Sequence, residues 1–143
     1  VEIIPPNGKD VEHMTFKYAN GVIMQRAQAN GVLFSGTEGD IEVNRGYFQA
    51  EPKSIAEEPL GPNDVHLYKS PGHRQDWINC IRSRKRPICD VAIGASSVTV
   101  CHLSNIAYWL GRPIKWDPEK REIIGDSEAS RWMDRPKRAP WRL

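Results

Sequence analysis

A chain of 143 residues with 39% apolar and 27% charged side chains has the composition of a globular domain and the length to bury one real core. Its formal charge of +2 is too small to draw it onto nucleic acid or an acidic membrane surface. Cys80, Cys89 and Cys101 are odd in number and far apart, which excludes a disulfide scaffold and a structural zinc site, and fits small buried hydrophobes in a reducing, cytoplasmic setting.

In chain order, residues 1–10 carry Pro5, Pro6 and Gly8 and read as a linker or lead-in loop. Residues 11–18 then alternate, with Met14, Phe16 and Tyr18 on one face and Thr15 and Lys17 on the other, the pattern of a half-buried strand. Asn20 and Gly21 supply a tight turn, and Val22, Ile23 and Met24 return as the second strand of a hairpin. Asn30 and Gly31 precede Val32, Leu33 and Phe34. Glu38 and Gly39 turn the chain into Ile41, Glu42 and Val43, and Arg45 and Gly46 lead to Tyr47 and Phe48. The sum is an antiparallel meander of about four strands, whose apolar face needs helices or a second copy of the sheet to cover it.

Residues 50–72 hold Pro52, Pro59, Gly61, Pro62, Pro71 and Gly72 and read as a long surface connection, either irregular or shaping a cleft. Residues 74–84 form a helix with Trp77, Ile78 and Ile81 as its buried stripe and Asp76 in the favourable first turn. Arg82, Arg84, Lys85 and Arg86 gather at its end, where they either complement the helix dipole or hold an anion. Pro87 stops that helix, and Asp90 is placed to cap the next.

Residues 89–111 form the dominant helix. Val100, Leu103, Ala107 and Leu110 make its apolar stripe, while Val98, His102, Asn105 and Trp109 fall on a second stripe with polar groups held between apolar ones. So much apolar side chain on several faces places the helix against a sheet or a partner, and makes His102 and Asn105 the best inward-facing polar pair. They either line a pocket or hydrogen-bond within the core. Beyond Gly111, Ile114 to Trp116 form a short strand, residues 117–120 a turn and residues 121–124 a second strand. Asp126 opens a last small helix through Met133, with Trp132 available for packing. The tail from Pro136 is expected to lie extended on the surface, anchored by Trp141 and Leu143.

The motifs of self-contained chemistry are missing from the sequence. It has no Gly-x-Gly-x-x-Gly, no Walker-type loop, no His-Glu-x-x-His and no nucleophile elbow. Cys101 and His102 are consecutive on a helix and point about 100° apart, which rules them out as a nucleophile and its base. Neither an unbroken apolar run of membrane-spanning length nor a basic leader before one is present, so no membrane span or signal peptide is expected. Because position 1 is Val, the chain reads as a piece of a longer protein.

Two segments near the end, HRQDWINCIRSRKRPICD and CHLSNIAYWLGRPIKWDPEKREIIGDSEASRWMDRPKRAPWRL, closely resemble the C-terminal part of the family of glucose-fructose oxidoreductase, inositol dehydrogenase and rhizopine catabolism protein. FKYANGVIM and GVLFSGTEGDIEV are similar to earlier parts of the same family. The resemblance implies an α+β fold, an open and largely antiparallel sheet covered on one face by helices, over a single C-terminal domain at residues 1–143. It implies a parent with an N-terminal Rossmann domain that binds NAD or NADP, a sugar or cyclitol substrate, and a homo-oligomer formed through the sheet.

The family's dinucleotide fingerprint, its Lys-containing motif and its pocket Asp and His have no counterpart here. Accordingly no catalytic, cofactor-binding or metal residue is assigned, and the isolated chain is expected to be inactive. His102 and Asn105 become the candidate substrate-pocket residues, and Arg82 and Arg86 candidates for an interface or for supporting the pocket from behind. Ser104 stands where relatives often carry Gly, and Trp109 where they often carry Arg. The competing reading is a non-catalytic interaction module or a standalone sugar-binding module.

Overall fold

The first strand of the molecule falls where the sequence suggests a loop. The computed structural model describes residues 1–26, 30–66 and 68–140, so the docking expected of Trp141 and Leu143 lies outside the described residues. In chain order the strands are β1 (Glu2–Ile4), β2 (Thr15–Lys17), β3 (Ile23–Gln25), β4 (Val32–Ser35), β5 (Asp40–Asn44), β6 (Tyr47–Glu51), β7 (Ile114–Asp117) and β8 (Glu122–Ile123). The helices are α1 (Ser54–Glu57), α2 (His73–Ser83), α3 (Val91–Leu110) and α4 (Ser127–Ser130), followed by a 3-10 turn at Arg131–Met133. Two compact units result, Val1–Ala27 with Val91–Leu143, and Gln28–Asp90.

The first unit is built on an antiparallel sheet of order β3-β2-β1-β7-β8. Ile3 lies opposite Phe16 on one side and Ile114 on the other, Phe16 lies opposite Met24, and Trp116 opposite Ile123. Because side chains alternate along a strand, these six residues share one face. Against them pack Leu103, Ile106 and Ala107 of α3 and Ala129 of α4, and these side chains with Met24 at the margin form the core. Ile3, Ala107 and Ala129 are wholly excluded from solvent. The opposite face is polar where β1 is central, with Glu2 beside Lys17 and Lys115.

β1 corrects the loop expected at residues 1–10. Three residues are too few to show alternation, and the prolines behind them dominate a local reading; pairing with β2 and β7, distant in sequence, makes the strand. The connection to β2 is held by Asn7, whose side-chain oxygen accepts from the backbone N–H groups of Lys9, Asp10 and Val11. The β2–β3 hairpin forms where expected, turned at Gly21 with φ 88°.

The helix expected at 89–111 is α3. Leu103 and Ala107 are buried and Val100 and Leu110 half-buried, as their spacing requires, and Ile106 joins the core beside them. The second stripe is a correction: Val98, His102, Asn105 and Trp109 all face solvent rather than the core. Val91–Leu110 contains no Asp, Glu, Lys or Arg, and its mean hydropathy of 1.2 makes it long and apolar enough to cross a membrane by length and composition. A search for an unbroken apolar run passes over it because Ser97, Thr99 and Ser104 interrupt the stretch. Their hydroxyls donate to the carbonyls of Ile93, Ala95 and Val100, four residues back. In this fold only Leu103, Ile106 and Ala107 of the helix are buried, and Val91, Ile93, Val98, Tyr108 and Trp109 stay exposed.

The second unit holds β4, β5 and β6 as a separate antiparallel sheet rather than as a continuation of one meander. Val32, Val43 and Phe48 stand in one row and Phe34, Ile41 and Ala50 in the next, so a single face is apolar. Most of that face is open, with Phe34 60% and Phe48 59% exposed. Gly31 and Gly39, at φ 140° and 148°, lie hard against the carbonyls of Val43 and Glu51, where a side chain has no room. β6 runs on to Glu51 and α1 follows, so part of the connection expected at 50–72 is regular structure.

α2 forms at the expected place with the opposite burial. Trp77, Ile78 and Ile81 are exposed, Trp77 by 63%, and Asp76 is the buried residue. Amphipathic spacing marks a face that wants covering, without saying whether this chain supplies the cover. Asp76 is satisfied instead by the Tyr68 hydroxyl at 2.8 Å and the Ile88 backbone N–H at 3.2 Å. Desolvation of its hydroxyl end and the Asp76 carboxylate push Tyr68 up to about 12.

A cleft beside the long helix

His102, Asn105 and Trp109 recur at three-and-four spacing, so they stand in line along the outward side of α3. They form one wall of a cleft of about 810 Å³ in the first unit. Its floor is core side chain, Leu103, Ile106 and Trp116, and the opposite wall is Trp132 with Arg131, Asp134 and Arg135. The 3-10 turn after α4 carries Trp132 to Trp109, with ring centroids 5.4 Å apart and planes inclined at 44°. Offset, tilted rings of this kind attract one another while leaving part of each face open.

The second wall is fixed from below by Arg112. Gly111 ends α3 at φ 63°, and the guanidinium of the next residue donates to both carboxylate oxygens of Asp126 and, at 2.8 Å, to Glu128. Asp126 also caps α4 by accepting from the Ala129 N–H, as its place before the helix predicts. The hydrogen bonds from Arg112, followed by that from Ala129, hold the Asp126 carboxyl down to about 2, and the same pair raises Arg112 above its ordinary value. Asp134 is held below the usual carboxylate range by Lys137, 3.1 Å away, and by the Arg135 N–H.

The low value at Asp126 has a measurable consequence. An acid with a depressed folded value contributes stability above its unfolded value of 3.8, and that stability is lost as pH falls through about 2. Asp126→Asn keeps a capping oxygen and removes the charge. Its melting temperature is therefore expected to lie below that of the parent chain at pH 7 and to converge with it near pH 2 in thermal scans. Parallel curves at every pH would contradict the ion pair.

His102 and Asn105 are thus brought together on one wall, but at its surface. Arg82 and Arg86 are exposed residues of the second unit and are not among those lining the cleft; Arg86 is paired with Asp90. Local spacing gives no sign of the facing wall. Trp132 reads from sequence only as a packing residue, because the place of this segment depends on β7, β8 and α4 folding back along α3. A smaller cavity of about 300 Å³ shares Thr99, Leu103 and Trp116 and is lined further by Phe16, Tyr18 and Arg121.

Chemically, the cleft offers aromatic ring faces, a carboxamide and an imidazole, a set suited to holding a ring with polar substituents. Every strand pairing among the described residues is antiparallel, so there is no glycine-turned β-to-α crossover with a helix N-terminus aimed at a pyrophosphate. The model of an oxidoreductase family, C-terminal alpha/beta domain, matches residues 10–143. No curated protein and no solved structure matches the chain.

Proposed function

The chain belongs to the oxidoreductase family as its C-terminal alpha/beta domain, and from that premise we propose that it forms the substrate-pocket wall of a dehydrogenase acting on a sugar or cyclitol. The observation that carries this reading is the cleft itself, lined by the touching and half-exposed Trp109–Trp132 pair with His102 and Asn105 in line beside Trp109. The C–H face of a polyol ring stacks on an indole, and its hydroxyls take hydrogen bonds from a carboxamide and an imidazole. NAD or NADP, the hydride acceptor of such a reaction, belongs in this reading to an N-terminal Rossmann domain outside the sequence. Binding and orienting the substrate is the part left to this chain.

Titration calorimetry of the chain with a panel of neutral sugars and cyclitols tests the reading. Saturable binding of at least one ring, weakened about tenfold by Asn105→Ala through the loss of one or two hydrogen bonds, is the expected result. A panel that gives no saturable heat while the chain remains folded would overturn it.

Self-association is part of the same proposal. A twofold axis would set the open apolar face of Val32, Phe34, Val43 and Phe48 against its own copy and bury two exposed patches at once. Light scattering is expected to show a dimer that Phe34→Asp dissociates; a monomer mass at every concentration would contradict this part.

A further inference from the structure

The cleft's charges are unevenly committed. Glu128 accepts from Arg112 at 2.8 Å and Asp134 from Lys137 at 3.1 Å, so both acids on the wall already have a cation. Arg131 and Arg135 line the same wall, and among the described residues neither guanidinium has a carboxylate partner. Counting Arg112 with its second partner Asp126, and Lys137, the cluster holds four cations against three carboxylates, and Arg131 and Arg135 are the two cations without an acid. In the chain as a whole acids and bases nearly balance, 18 against 20.

A guanidinium presents a planar fork of donors that matches the two oxygens of a carboxylate or a phosphate, and its charge roughly doubles the strength of each hydrogen bond. Arg131 and Arg135 flank Trp132 in sequence, four residues apart, and Trp132 is one of the two open ring faces. Aromatic surface and free cations thus occur side by side. Resting on the reading of this cleft as a polyol pocket, we propose that its preferred occupant is an anionic sugar or cyclitol, whose carboxylate or phosphate is held by Arg131 and Arg135 while its ring lies on the Trp109–Trp132 pair. Neutral rings use the aromatic and amide contacts alone and bind more weakly.

The test compares glucose, glucuronate, glucose 6-phosphate and inorganic phosphate by calorimetry on the same chain and on Arg131→Gln/Arg135→Gln. Both arginines are exposed, and circular dichroism melts check that the double variant stays folded. The expected result is that one or both charged sugars bind at least about tenfold more tightly than glucose, and that the double variant abolishes this preference. The preference between glucuronate and glucose 6-phosphate identifies the anion. Glucose binding as tightly as both charged sugars overturns the proposal and leaves the polyol pocket standing. Inorganic phosphate binding as tightly as glucose 6-phosphate overturns it too, by showing a bare anion site. No binding by any sugar overturns both readings.

Discussion

Replacing Ile3 with Ala is expected to lower the stability of the chain by about 2–5 kcal/mol, the range for removing a fully buried aliphatic side chain. Ile3 is completely excluded from solvent and sits between Phe16 and Ile114 at the centre of the five-stranded sheet. Its removal leaves a void that α3 and two neighbouring strands cannot all close at once. Deleting residues 1–5 is expected to do more. β1 is the strand that joins β2 and β3 to β7 and β8, so without it the sheet falls into two hairpins, neither stable alone. Urea unfolding followed by circular dichroism checks both. A deletion variant that keeps the midpoint of the parent chain would show that β1 is dispensable. The outcome has added interest because the family match begins at residue 10, beyond this strand.

The second large effect is on binding. Trp109→Ala is expected to weaken polyol binding by about 2 kcal/mol, roughly thirtyfold, since a stacking indole at the centre of a site carries energy of that order. The same substitution should cost the fold little. Trp109 is 60% and Trp132 52% exposed, and the two touch each other at the cleft instead of filling the core. Stability and affinity should therefore separate: a melting temperature within a few degrees of the parent chain, with calorimetric affinity lost. A variant that loses both together would place Trp109 in the packing and not in the site.

How much of this was legible in the sequence depends on the range over which each feature is decided. Leu103 and Ala107 are buried as their spacing predicts, because a twenty-residue helix repeats its pattern often enough to show its core face. Asp126 is legible as a cap and the β2–β3 turn as a hairpin, since both are settled within a few residues. The central strand β1 is not, because its neighbours in the sheet lie more than ten and more than a hundred residues away. The split of one expected meander into two sheets is likewise a matter of which strands find each other. Nothing in the alternation of Val32 to Phe48 says whether they continue the β2–β3 hairpin.

Two misread stripes share another cause. Trp77, Ile78 and Ile81 have the spacing of a buried face and are exposed, and the spacing of His102 and Asn105 predicts an inward-facing pair where both residues are exposed along the cleft. Periodicity identifies residues that belong together on one side of a helix. The other elements decide which side is covered, and the cleft exists only because the segment after β8 returns along α3. Family resemblance reached the fold class and the domain type, which the matching family supports. The facing wall of Trp132, Arg131 and Arg135 came from the geometry alone.

The most direct test of the account is to map a bound polyol by amide shifts in a two-dimensional nitrogen–proton spectrum of the chain. The account predicts saturable shifts clustered at residues 99–109 and 131–135, the two walls of the cleft. Shifts confined to the β4–β6 sheet or to α2, or none at saturating ligand, would contradict it.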